Sequence, residues 1–134
     1  MNRKSYFNVV MVPLLLGSLV AFEGCKSEID RHNLSGQVTF RGKPVRVGLI
    51  VFEPDVTKGN RGPQGYAQII DGRYETEKFG KGAIVGALSV EITGFPPVDG
   101  SAGNPSIPLF PPYKTQVEIT SETTTLDFTV PERR

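Results

Sequence analysis

Gln64-Gly65-Tyr66-Ala67-Gln68-Ile69-Ile70, then Asp71-Gly72, then Arg73-Tyr74-Glu75-Thr76 is the stretch that decides the fold. Two β-prone runs joined by Asp-Gly are a hairpin signal, because both central residues of a type I′ turn take positive φ and this pair tolerates it. Residues 64–70 and 73–76 are therefore expected to pair antiparallel.

Working outward, the same two-residue period recurs on both sides. Leu34, Gly36, Val38 and Phe40 alternate with Ser35, Gln37, Thr39 and Arg41, the pattern of a strand with one buried face. Arg41-Gly42-Lys43-Pro44 supplies turn chemistry, with proline expected to stop the ladder. Val47 to Glu53 is apolar on both faces, which predicts a central strand of a packed sandwich rather than an edge. Val56 to Pro63, rich in Gly, Asn, Lys and Arg, reads as an exposed loop. Beyond the hairpin, Glu77 to Gly86 is expected to carry the chain to a second sheet. Leu88, Val90 and Ile92 alternate with polar or small neighbours, and Gln116–Thr120 and Thr124–Val130 close the set. Seven short strands divided by Gly and Pro turns predict an all-β, seven-stranded Greek-key sandwich over residues 34–131.

The N-terminal segment is of another kind. Arg3 and Lys4 precede an uncharged run from Phe7 to Phe22, then Gly24 and Cys25. That run is shorter than the roughly 20 residues a permanent membrane helix needs, so residues 1–24 read as a lipoprotein signal peptide. Cys25 is the sole cysteine, which excludes an internal disulfide and makes its thiol the lipidation candidate. Gly24-Cys25 fits a lipobox, whereas Phe22 and the charged Glu23 depart from it. The alternatives are an inert free thiol and an uncleaved N-terminal anchor. Residues 25–33, mostly polar, read as a tether between lipid and domain. From Cys25 onward the chain is formally neutral, which gives no footprint for nucleic acid.

Leu34 to Val45, with Gly36-Gln37-Val38-Thr39 leading to Gly42-Lys43-Pro44, resembles the opening of carboxypeptidase-regulatory-like domains. Val51-Phe52-Glu53-Pro54, Asp71-Gly72-Arg73-Tyr74 and Ile107 to Tyr113 resemble segments of the small transthyretin-like lipoproteins of planctomycete bacteria. The likeness spans about residues 34–130 and rests on the order of individually weak motifs. It implies a prealbumin-like sandwich exported to the cell envelope, and it carries over no catalytic residue.

Candidate chemistry is sparse. The hydroxyisourate hydrolases of the transthyretin-like fold use several histidines, whereas this chain has only His32, placed in the tether. A catalytic zinc needs about three protein ligands and a serine nucleophile needs a base within reach. No catalytic residue, metal or cofactor is therefore assigned. Glu75 and Glu77, two apart on one strand face, read as a solvated pair. The stretch with functional weight is Gly94 to Pro112, 19 residues with six prolines, flanked by Phe95, Phe110 and Tyr113. Long loops in compact domains are often functional. These aromatics either offer apolar surface to a glycan, small ligand or envelope protein, or fold back to cover one end of the sandwich. The expected function is a non-enzymatic structural or interaction module, anchored to a membrane by lipid and facing the periplasm or the cell surface. The alternative is a carbohydrate or small-ligand binding module using loop 94–113. A partner could also add to the last strand, 124–130, as an edge.

Overall fold

A computed structural model describes residues 29–101 and 103–132. Cys25 and residues 1–24, read above as a signal peptide, lie outside them. Among the described residues nine strands form one curled sheet with almost no helix: β1 (Ser35–Phe40), β2 (Lys43–Pro44), β3 (Val47–Pro54), β4 (Gly65–Ile70), β5 (Arg73–Glu75), β6 (Gly80–Lys81), β7 (Gly86–Phe95), β8 (Tyr113–Ile119) and β9 (Phe128–Val130). The order is β2-β1-β5-β4-β3-β7-β8, with β6 beside β4 and β9 beside β1. The chain is all-β, as its alternation predicts.

The Asp-Gly hairpin forms as its chemistry requires. Asp71 and Gly72 take φ of 48° and 80°, and Ile69 and Ile70 pair antiparallel with Tyr74 and Arg73. A second turn of the same kind joins β1 to β2, because Arg41 and Gly42 also take positive φ, 53° and 70°. Pro44 does not stop the ladder at once. It pairs with Thr39 at a sheet margin, where its missing N–H costs nothing, and the next amide, Val45, donates to the Val38 carbonyl.

β3 is central, between β4 and β7, as its apolar run predicts; Ile50 and Phe52 on its inner face are fully buried, whereas Val47 and Leu49 on the other face are 38% and 40% exposed. Two expectations need correction. Residues 77–86 do not lead to a separate sheet. Thr76–Phe79 makes a single helical turn (α1), β6 then pairs with β4, and β7 joins the free edge of β3 in the same hydrogen-bonded sheet. The last strand is shorter than 124–130 and runs parallel to β1, which is bonded to segment 124–126 at its start and to β9 at its end.

Curling brings β1, β5 and β9 over the inner face of β3, β4 and β7. Val38, Tyr74, Phe128 and Val130 meet Ile50, Phe52, Ile69, Leu88, Val90 and Ile92 in one core. Tyr74 lies at its centre, with its ring centroid 5.8 Å from that of Phe52 and 6.3 Å from that of Phe128. Its hydroxyl donates to the Leu126 carbonyl at 2.8 Å, fastening segment 124–127 to the core, and burial raises the phenol pKa above its ordinary value. Tyr74→Phe removes the donor and leaves that carbonyl unpaired, which costs about 1–2 kcal/mol. Urea unfolding should show a lower midpoint with an unchanged slope.

Attachment of the N-terminal segment begins before residue 34. Arg31 donates to the Gln64 and Gly82 carbonyls at 3.0 and 2.7 Å, and His32 makes a two-bond bridge with Ala83. His32 is thus half-buried against the domain rather than solvated in a tether. Gly82 and Ala83 abut Gly65, the β4 residue opposite Phe52. The chain therefore enters at the Phe52 end of β3. The Val47 end lies five residues along the strand, about 17 Å away at a rise of about 3.3 Å per residue.

Candidate functional site

At the Val47 end, β7 runs out at Phe95, which pairs with Val47, and the proline-rich segment begins. The segment is pinned rather than loose. Leu109 donates its amide to the Gly94 carbonyl at 2.8 Å, Ile107 to that of Asn104 at 3.0 Å, and Asp99 accepts both the amide and the hydroxyl of Ser101. The Ser101 hydroxyl, first, and the more distant Arg46 hold the Asp99 carboxyl below its ordinary pKa. Pro96 and Pro97 are buried, and their fixed φ turns the chain away from the sheet.

The three aromatics singled out in the sequence divide their roles. Phe110 is only 6% exposed and belongs to the core, its ring centroid 4.8 Å from that of Phe40. Gly94 makes room for it, since a β-carbon there would meet the Phe110 ring and Val45. Phe110 is thus a plug at the end of the barrel-like curl. On either side of it lies a depression. Phe95 lines the wider one, about 420 Å³, together with Phe40, Pro44, Val45, Pro97 and Leu109. Tyr113 lines the narrower one, about 130 Å³.

The wider cleft has an apolar wall and a cationic rim. Arg41, Lys43 and Arg46 stand at its edge. Arg41 lies over the Phe40 ring at 5.1 Å and pairs with Glu132 at 2.6 Å, while Arg46 pairs with Asp71 at 3.2 Å and with Asp99 at 3.7 Å. Among the described residues Lys43 has no ion-pair partner, so its ammonium is the rim cation available to a ligand. The cationic rim was not anticipated from the sequence, where residues 41–44 read only as a turn. The spacing of Arg41, Lys43 and Arg46 around an aromatic was the available signal.

A third depression, about 530 Å³, lies along β1 and β5 and is lined by Ser35, Gln37, Glu75, Glu77, Thr124 and Asp127, among others. Its polar groups are largely committed. Asp127 accepts the Gln37 amide at 2.8 Å, and Glu75 pairs with Lys78 at 2.7 Å. Glu77 sits in α1 rather than on a strand, so it does not share a strand face with Glu75, although its side chain is exposed as expected. Among the described residues no three His, Cys, Asp or Glu side chains cluster as metal ligands. Comparison with protein-family models, with curated proteins and with solved structures gives no match to this chain.

Proposed function

We propose that this protein is a lipid-tethered module of the bacterial cell envelope that binds rather than catalyses, and that the cleft around Phe95 is its working surface. The observation that carries this reading is polar placement. The chain is fastened at Arg31 and His32 at one end of the strands, and the apolar cleft opens at the other. A module tethered through Cys25 would hold that cleft away from the membrane. The ligand or partner group that suits it has an apolar face for Phe40, Phe95 and Leu109 and an anionic edge for Lys43. A volume of about 420 Å³ falls within the range of small-molecule sites.

The prealbumin-like sandwich of transthyretin-like envelope lipoproteins belongs to the same proposal. It is supported by the strand order β4-β3-β7-β8 on one side of the core and β5-β1-β9 on the other.

Anilinonaphthalene sulfonate, an aromatic anion, is a suitable probe. Saturable one-site fluorescence is expected, with affinity lowered about tenfold in Phe95→Ala and in Lys43→Glu, the loss of one good contact being about 1.4 kcal/mol. Gln68→Ala, on the outer face of β4, should bind as the parent does, and melting temperatures should confirm that all variants are folded. Equal binding by all of them would place the working surface elsewhere.

A further inference from the structure

The curled sheet does not close. Among the described residues β8 has a strand neighbour only on its β7 side, so one row of its backbone N–H and C=O groups faces outward. Edges of this kind are usually guarded by charged side chains, proline, a bulge or extreme shortness. β8 has only the first, and its two charges are of opposite sign, so they select a complementary strand: it runs seven residues, Tyr113-Lys114-Thr115-Gln116-Val117-Glu118-Ile119, in unbroken register with β7. β9 is the poorer edge, three residues long and followed by Pro131.

We propose that β8 pairs antiparallel with β8 of a second copy of this chain, joining two sheets into one across a two-fold axis at Gln116. The sequence of the strand specifies that partner. Lys114, Gln116 and Glu118 are exposed on the outer face, while Tyr113, Thr115, Val117 and Ile119 turn toward the core. Residues directly opposite each other must share a face, so a slip by one residue is excluded. Of the remaining registers, the one that pairs all seven residues puts Gln116 opposite Gln116 and Lys114 opposite Glu118. Symmetry makes that charge pair twice. A slip of two residues loses both pairs and shortens the ladder.

The neighbouring charges support the same register. Lys114 pairs with Glu91 of β7 at 2.9 Å and is still 69% exposed, whereas Glu118 has no ion-pair partner among the described residues. In the paired sheet each Lys114 lies between Glu91 of its own chain and Glu118 of the other. Opposite charges across strands stabilise, and like charges directly opposite destabilise.

The test uses the full chain in detergent, by sedimentation over a concentration series. The parent chain is expected to dimerise. Lys114→Glu places Glu opposite Glu118, and Glu118→Lys places Lys opposite Lys114, so each variant alone should dimerise at least about tenfold more weakly. Mixed together, the two variants restore both charge pairs and should form a heterodimer. Rescue on mixing also shows that neither variant is merely misfolded. Gln116→Cys in a Cys25→Ser background should cross-link to itself on oxidation, and Lys114→Cys in that background should not. A parent chain that stays monomeric, a dimer indifferent to both reversals, or a mixture that fails to rescue would each overturn the proposal.

Discussion

Gly36→Ala is expected to destabilise the domain by about 3–5 kcal/mol, at one of the two glycines where an added methyl group would press hardest on backbone. The added β-carbon would land on the Leu126 carbonyl oxygen, with the Tyr74 ring close by. Neither neighbour can give way cheaply. Leu126 is backbone, held by its amide to Ser35 at 2.9 Å and by its carbonyl to Tyr74, and Tyr74 is 1% exposed in the centre of the core. Relief requires lifting segment 124–127 off β1, which breaks the Ser35–Thr124 bond as well. Against a typical total of about 5–15 kcal/mol, that loss leaves a marginal fold. Gly42→Ala is the matched comparison: no heavy atom lies near its β-carbon, and only the positive φ of 70° opposes it, at about 1 kcal/mol. Denaturant melts of the two variants should therefore differ severalfold in loss. Equal losses would show that backbone conformation, not steric contact with Leu126, sets the requirement for glycine in this sheet.

Cys25→Ser is expected to move the protein from membranes to the soluble fraction in a bacterium that processes lipoproteins. The parent chain should lose residues 1–24 and gain acyl mass, and the serine variant should do neither. The contrast should be nearly all-or-none, because each buried methylene of an acyl chain contributes about 0.8 kcal/mol to membrane attachment. Intact mass and fractionation read the two effects separately. Membrane retention of both proteins with the leader intact would favour an uncleaved anchor over residues 7–22. Cleavage elsewhere without acyl mass would mean that Glu23 defeats the processing site.

Local chemistry was the most legible part of the fold. Asp71-Gly72 predicts its hairpin because a two-residue turn is decided by backbone angles that few residue pairs accept. Leu88, Val90 and Ile92 predict their buried face for the same kind of reason, a strict period matched to the pleat. What the sequence could not show is which strand lies beside which. Nothing in Val47-Gly48-Leu49-Ile50-Val51 tells that one face meets the core and the other meets solvent, since that depends on how far the sheet curls. The parallel pairing of β1 with β9 joins residues some ninety positions apart, and no local pattern encodes it. The candidate site was half legible. Phe95, Phe110 and Tyr113 were marked by the prolines around them, but their separation by the Phe110 plug, and the Arg41-Lys43-Arg46 rim, exist only once β1, β2 and β7 meet at one end.

The fastening of Arg31 and His32 also decides how the domain answers mechanical force. A pull on the N-terminal chain runs first through the His32–Ala83 bridge and then along β1, which is bonded on one flank to β5 and on the other to residues 124–130. Those bonds lie across the direction of pull, so they share the load in shear instead of opening one after another like a zipper. If something grips the cleft at the far end while the N-terminus is held, tension crosses the whole length of the strands before any of them can peel. Resistance to such a pull is expected to be greatest along the line that joins Arg31 and His32 to the open cleft.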